Sequence, residues 1–291
     1  MADLDLRPLS LGEILDRTFT LYRRHFLLFL GITAFPHLLI LALNLTQTLY
    51  MKMPMLPTKP PVEQFQGGMH TGLFAFGIIG GIIGLIVYLV AYLFSQGGTI
   101  FAVSELYLGR TTTISACLRR MWGQLGNLFG VTLLNGLAIA GAALFLIIPG
   151  IYVACRLMIC VPAALLEDLG ARESLGRSYR LTQDYAGRAF VIGLLYFVIF
   201  YSASALLMMP FSVGFFIAIS NHNLGMMRLW SALMNTGSTI VQILVSPILL
   251  IATSVFYFDL RVRKEAFDLQ LMMNPEGAVS GSRSIVPSIL S

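Results

Sequence analysis

The sequence predicts an all-α integral membrane protein in which six transmembrane helices form three hairpins, each preceded by a cytoplasmic amphipathic helix. Composition is the first observation behind this prediction. Of the 291 residues, 57% are hydrophobic and 11% are charged, against about 45–50% and about 25% in soluble domains. The other two observations are six long apolar stretches and an uneven distribution of Lys and Arg. Residues 1–273 are predicted to form one polytopic domain, and residues 274–291, rich in Ser, Gly and Pro, a disordered tail.

The first element is a predicted amphipathic helix within residues 9–26. Ser10 and Glu13 match an S-x-x-E capping box, in which each side chain accepts a hydrogen bond from the backbone N–H of the other residue. Apolar or neutral side chains recur in steps of three and four along one face, and Arg17, Arg23 and Arg24 lie on the other. Such a helix packs either on its own protein or on a membrane surface. The apolar run that follows favours the membrane.

Six apolar stretches are close to, or longer than, the roughly 20 residues that cross a bilayer as a helix. Pro149 and Gly150 are predicted to form the turn between the third and fourth stretches. Gly80, Gly81, Gly84, Gly97 and Gly98 are the positions at which the second stretch is predicted to approach a neighbouring helix closely or to bend. The six stretches are residues 26–50, 73–106, 125–148, 151–166, 189–220 and 229–258.

Lys and Arg fall mostly on one side of the predicted membrane. Lys52, Lys59 and Arg228 lie on the other side and Arg156 lies within the fourth span, so 15 of the 19 Lys and Arg share one side. The positive-inside rule then places both termini in the cytoplasm, as expected for an even number of spans in a cell's inner (plasma) membrane.

Three segments with a related pattern precede the first, third and fifth spans, and we call them the approach helices. The first two offer capping residues and an apolar face, and the third has a weaker apolar face that contains Leu175, Ser178, Tyr179 and Thr182. All three carry an arginine at a matched position, which predicts an internal repeat of one short helix and two spans. The matched arginines are Arg17, Arg120 and Arg177.

Arg156 is the most informative single residue, because an arginine inside a span is energetically costly and usually faces a partner or a cavity. About 9 Å of helix separate it from the predicted turn at Pro149 and Gly150, so it can snorkel to the outer headgroups or form a structural ion pair. The alternative is a site for an anion or a lipid phosphate. Glu105 on the second span is a candidate partner.

The cytoplasmic arginines have two interpretations. They fix the orientation of the chain, or they also contact anionic lipid headgroups. Membrane lipids are therefore the predicted partners, with other membrane proteins as a second class. The charge positions follow the membrane, so no nucleic acid is expected. The candidate lipid contacts are Arg17, Arg23, Arg24, Arg119, Arg120, Arg177, Arg180, Arg261, Arg263 and Lys264.

No catalytic motif is apparent in the sequence. It has no H-E-x-x-H, no G-x-S-x-G and no glycine-rich phosphate loop. Cys117, Cys155 and Cys160 form no CxxC pair, so we expect inert thiols rather than a metal site or disulfides. The prediction is a protein without enzymatic activity, metal or cofactor.

Four stretches together resemble a known family, and they extend over nearly the whole chain. They are RPLSLGEILDRTFTLYRRHF at 7–26, IIPGIYVACRLMICVPAALLED at 147–168, ESLGRSYRLT at 173–182 and FYFDLRVRKEAFDL at 256–269. This set resembles the membrane domain fused to some bacterial glycerophosphodiester phosphodiesterases, which also occurs alone in bacteria and archaea. The resemblance implies a helical membrane module and not the hydrolase, whose activity belongs to a separate barrel domain. Ala266 departs from the pattern, where glycine is expected.

Two main functions follow from these predictions. The first is a non-catalytic membrane module that binds lipids or partner proteins. The second is a transporter or flippase for a lipid-derived or amphiphilic anionic solute, with Arg156 contacting the anion. A membrane-bound hydrolase is a third reading, which the absence of turnover of glycerophosphodiesters would exclude.

The predicted topology is tested by Lys59→Cys and Arg283→Cys variants. We expect a membrane-impermeant maleimide to label the two introduced thiols from opposite sides, because an odd number of crossings separates them. Labelling of both from one side would overturn the six-span prediction.

Overall fold

The computed structural model of the chain describes residues 8–50 and 70–265. The regular elements within these ranges are ten α-helices. The predicted tail at 274–291, and the segment that carries Lys52 and Lys59, lie outside the described residues. The helices are α1 Leu11–Arg24, α2 Phe26–Tyr50, α3 His70–Tyr107, α4 Ile114–Trp122, α5 Leu125–Phe145, α6 Ile147–Arg156, α7 Cys160–Leu166, α8 Ala171–Leu181, α9 Ala186–Ser220 and α10 Leu224–Glu265.

Six helical segments of the described chain are long and apolar enough to cross a membrane, as expected for a multi-pass membrane protein. Three of the four longest helices begin or end within a few residues of the predicted spans, and α10 extends beyond its predicted span at both ends. A short helix (α1, α4 or α8) precedes the first, third and fifth of these segments. The candidate spans are Phe26–Leu45, Gly80–Tyr107, Leu125–Phe145, Ile147–Leu166, Ala186–Ser220 and Gly225–Glu265.

The predicted turn at Pro149 and Gly150 is wrong. Helix α5 ends at Phe145, Leu146 alone is extended, and α6 begins at Ile147. Pro149 therefore lies in the first turn of α6, where its missing N–H has no intrahelical acceptor to lose. Gly150 packs on α5, because a Cβ there would lie 2.8 Å from the Ala143 Cβ.

The fourth span is also not one continuous helix. It breaks at residues 157–159 between α6 and α7. Pro162 explains the break, because its nitrogen has no hydrogen to donate to the carbonyl four residues earlier. Cys160 donates instead to the Leu157 carbonyl, in a tighter turn.

The contacts divide the chain into two compact units. The first contains residues 8–29, 97–196 and 248–265 of the described chain. Its core is formed by Cys160–Leu165, by residues 251–260 and by the segment around Gly97. Gly97 permits the predicted close approach, because a Cβ there would overlap the side chain of Met121 on α4.

The second unit contains residues 30–50, 70–96 and 197–247 of the described chain. The Thr33 hydroxyl donates to the Ile243 carbonyl at 3.1 Å, which joins α2 to α10. Gly214 allows α9 and α10 to pack closely, because a Cβ there would lie 2.4 Å from the Trp230 ring.

Helix α1 is joined to the end of α10 through the buried carboxylate of Asp259. The predicted capping box is confirmed, with both Ser10 and Glu13 hydrogen bonds present. Immediately before it, the Leu9 N–H donates to Asp259 Oδ1 at 2.7 Å. Arg263 Nε donates to Asp259 Oδ2 at 2.9 Å, and Arg188 lies 3.7 Å from the same oxygen.

We predict that Asp259→Ala destabilises the protein, because the change leaves the buried Leu9 N–H without its acceptor and removes the carboxylate that pairs with Arg188 and Arg263. Removing one partner of a buried ion pair typically costs about 3–5 kcal/mol. The measurement is the thermal unfolding midpoint in detergent, with Asp16→Ala on the exposed face of α1 as the matched control. Equal midpoints for the two variants would contradict the role given to Asp259.

Candidate anion-binding site

Arg156 is the last residue of α6, and its side chain is 5% exposed. One terminal nitrogen donates to the Thr182 carbonyl at 3.3 Å. The guanidinium lies 3.9 Å from the centre of the Tyr179 ring and 5.8 Å from that of Tyr152. Its Nε is buried and has no hydrogen-bond partner. Within the described part of the chain, no carboxylate oxygen lies within 4.0 Å of the guanidinium.

The break between α6 and α7 positions this side chain. It frees the Arg156 carbonyl from the helical pattern, and two hydroxyls of the third approach region replace the lost donor. Ser178 donates to that carbonyl at 2.9 Å. The Thr182 hydroxyl lies 2.8 Å from it and shares its one hydrogen with the Ser178 carbonyl at 2.7 Å. Helix α8 is thereby fixed against the end of α6, and the chain turns from Thr182 into α9 directly beside the guanidinium.

An open pocket of about 540 Å³ lies in front of Arg156. Ala186 and Gly187 are the first two residues of α9, whose first amides have no intrahelical acceptor and carry the positive end of the helix dipole. Asp184 opposes an anion, but its side chain is 78% exposed and lies 4.0 Å from Lys264 Nζ. The lining residues are Tyr152, Arg156, Tyr179, Gln183, Asp184, Ala186 and Gly187.

The suggested pairing of Arg156 with Glu105 is wrong. Glu105 instead accepts from Arg120 at 3.1 Å and lies 3.5 Å from Arg110. The side chain of Arg156 is bonded to the segment between α8 and α9, not directed towards the turn at Leu146. It therefore lies at the end of α6 that the third approach helix covers.

A second charged group, which we call the Arg177 cluster, contains Glu167, Arg177, Tyr257, Arg261 and Glu265. Arg177 donates to both oxygens of Glu167 at 2.7 and 2.8 Å and to Glu265 at 2.8 Å. The Tyr257 hydroxyl donates to Glu167 at 2.7 Å. Burial opposes the charge of Arg177, but its hydrogen bonds to Glu265 and Glu167 outweigh that effect and raise its pKa. Every charge in this cluster faces an opposite charge or a donor.

The predicted lipid contacts fall into two groups. Arg17, Arg120, Arg177, Arg261, Arg263 and Lys264 make hydrogen bonds within the protein. The three matched arginines of the approach helices are all in this group: Arg17 donates to the Tyr107 hydroxyl, Arg120 to Glu105, and Arg177 to two carboxylates. The exposed candidates are Arg23, Arg24, Arg119 and Arg180.

The face through which α8 packs on the protein is polar. Ser174, Ser178 and Thr182 are fully buried; the sequence placed Ser178 and Thr182 on this weaker apolar face, but not Ser174. Their spacing of four residues places all three on one face. That spacing was visible in the sequence, but its partner, the freed carbonyl of Arg156, was not.

The next groups to consider among the described residues are possible metal ligands and the cysteine thiols. Residues 8–50 and 70–265 contain no group of three or more His, Cys, Asp or Glu side chains that could hold a metal ion. Cys117, Cys155 and Cys160 are free thiols, and burial raises the pKa of Cys117 on α4.

No family model, curated protein or solved structure matches this chain. The resemblance to the membrane domain associated with glycerophosphodiester phosphodiesterases therefore stays a prediction. The geometry of the site is the basis for the functional argument.

We predict that Arg177→Lys lowers the thermal unfolding midpoint in detergent. A lysine keeps the charge but cannot supply the planar fork that reaches Glu167 and Glu265 together. Arg180→Lys, three residues along the same helix and exposed, is the matched control and should leave the midpoint unchanged. A midpoint for Arg177→Lys equal to that of the control would show that the cluster does not stabilise the fold.

Proposed function

We propose that this chain is a non-catalytic membrane module that binds the phosphate of an anionic lipid in the pocket at Arg156. It would lie in the cell's inner (plasma) membrane with both termini in the cytoplasm. The approach helices would lie at the cytoplasmic surface, so the bound lipid would belong to the leaflet on that side.

The observation that carries this proposal is the incomplete environment of the Arg156 charge. A buried ion without a counter-ion is costly, and within the described chain the carbonyl of Thr182 and two aromatic rings are what Arg156 contacts. The pocket that Arg156 lines leaves room for an acceptor that carries the missing negative charge.

A phosphate suits the donors that converge on the pocket. Guanidinium groups bind phosphate oxygens through charge-assisted hydrogen bonds, and the first amides of a helix form a common anion site. Ala186 and Gly187 supply such amides at the start of the 35-residue helix α9. A phosphodiester on a lipid also explains an open pocket, because its acyl chains would leave through the opening.

The exposed arginines would add a weaker attraction of the whole module to an anionic leaflet. Arg23, Arg24, Arg119 and Arg180 are exposed on or at the ends of the approach helices. Each basic residue near such a surface contributes about 1 kcal/mol. This attraction is not specific, whereas the pocket at Arg156 would select a phosphate.

We predict that Arg156→Ala weakens binding of short-chain phosphatidylglycerol to the detergent-solubilised protein by about tenfold or more, because a charged hydrogen bond contributes about 1.5–3 kcal/mol. Titration followed by native mass spectrometry measures the loss. Arg172→Ala, an exposed arginine on α8 that is not a candidate lipid contact, is the control and should bind as the unchanged protein does.

Two further titrations separate the possible ligands. A Kd for inorganic phosphate as low as that for the short-chain lipid would indicate a site for free phosphate, whereas a much weaker affinity for phosphate fits a lipid headgroup. Equal binding by Arg156→Ala and the unchanged protein would refute the proposal. Movement of a labelled anionic lipid between leaflets of proteoliposomes, lost in Arg156→Ala with the fold intact, would replace the module with a transporter.

A further inference from the structure

The turn between α5 and α6 is apolar and uncovered by protein. A single residue, Leu146, connects the two helices. The side chains at this tip are among the most exposed of the first unit: Leu144 is 88% exposed, Phe145 87%, Leu146 66%, Ile147 75% and Ile148 79%. In water, a patch of this kind would be a strong aggregation site.

Helices α5 and α6 form a hairpin, and polar and charged side chains surround its base at Arg156. The Arg156 guanidinium donates to the Thr182 carbonyl, and the next two residues, Gln183 and Asp184, are exposed. Arg180 is exposed one helical turn before them. Charged side chains facing the hydrocarbon are costly, so the segment from α8 to α9 belongs in water or among headgroups.

Helix α6 is too short to carry the tip from this level across a bilayer. Its ten residues rise about 15 Å. An extended arginine side chain and its hydrogen bond to Thr182 add on the order of 10 Å at most. Whatever the tilt of the hairpin, Leu146 lies within about 25 Å of Thr182, while the hydrocarbon core alone is about 30 Å thick. Helix α5 has 21 residues, but its first turns pack beside the start of α8, where Asn127 donates to the Leu169 carbonyl at 2.9 Å and Gly130 faces Ala171. About 15 Å of α8 therefore separates the start of α5 from Thr182.

The tip is suited to remain in hydrocarbon. The Leu146 N–H donates to the Ala142 carbonyl at 3.4 Å, and the Gly150 N–H donates to the Leu146 carbonyl at 3.3 Å. Pro149 has no N–H to satisfy. Pairing of the Leu146 and Gly150 amides lowers the cost of placing this turn in hydrocarbon, although the Ile147 and Ile148 amides start α6 and have no intrahelical acceptor.

The sequence around this tip differs from that around another turn of the chain. Residues 125–155 contain no Asp, Glu, Lys, Arg or His, and the tip itself has no side chain that prefers water. The turn between α9 and α10 contains Asn221, His222 and Asn223, all exposed. That turn follows the 35 residues of α9, about 50 Å of helix, which is more than a full crossing needs.

We infer that α5 and α6 form a half-membrane hairpin whose tip ends within the bilayer, covered by acyl chains of the leaflet next to α8. Four helices (α2, α3, α9 and α10) then cross the membrane, instead of the six crossings expected from the sequence. Both termini remain on one side, because removing a pair of crossings changes no other orientation. This inference does not depend on what binds at Arg156.

Thiol accessibility tests the inference in a background with Cys117, Cys155 and Cys160 replaced by Ser. In Phe145→Cys, we expect a membrane-impermeant maleimide to give only background labelling from either side of sealed membranes, and full labelling after solubilisation. Asn221→Cys should be labelled from the far side and Arg119→Cys from the near side. Labelling of Phe145→Cys from either side would overturn the inference.

A depth measurement gives an independent result that needs no cysteine replacement. Phe145→Trp is combined with Trp122→Phe and Trp230→Phe, so that the tip carries the sole tryptophan. Lipids with a nitroxide near the end of the acyl chain should quench its fluorescence more strongly than lipids with a nitroxide near the headgroup. The reverse order would place the tip at a surface and would refute the half-membrane hairpin.

Discussion

The carbonyl of Arg156 is the point on which the first unit depends. The break at residues 157–159 removes its helical donor, and a buried carbonyl without a partner costs about 1–3 kcal/mol. The Ser178 hydroxyl supplies a donor in its place, and the single hydrogen of the Thr182 hydroxyl is shared between this carbonyl and that of Ser178. These bonds fix α8 beside α6 and α7, and so set the start of α9. The positions of the pocket and of Arg177 both follow from that placement.

Asp259 and Arg177 have partners of opposite charge within the described residues of the first unit, whereas Arg156 does not, and this difference points to Arg156 as the ligand-binding residue. Asp259 has a backbone N–H and two arginines around it, and Arg177 has two carboxylates. Both therefore have a structural role that needs no ligand. Arg156 is as deeply buried but has only a neutral acceptor and aromatic rings. An external anion is the simplest partner that would compensate the charge of Arg156.

Local patterns predicted the local features of the fold and failed on contacts distant in sequence. The capping box of Ser10 and the close approach at Gly97 depend on short motifs, and both are present. The Arg177 cluster joins residues 88 positions apart, so no window along the chain could reveal it. The break after Arg156 was missed for a different reason: hydropathy counts apolar residues and is insensitive to a proline that removes one hydrogen bond.

The hairpin and the pocket give one consistent account of the membrane near α8. Arg156 belongs to both, because it ends the apolar helix α6 and lines the polar pocket. A lipid whose phosphate contacts Arg156 would have its acyl chains beside α6, since the exposed side chains of Ile147, Ile148 and Ile151 continue from the pocket towards the tip. If the segment of α6 and α7 crossed the whole bilayer, Arg156 would lie in the hydrocarbon core, away from the phosphates of either leaflet. A short hairpin would keep the cation at the level of lipid phosphates, which would be a physical reason for α6 to end after ten residues.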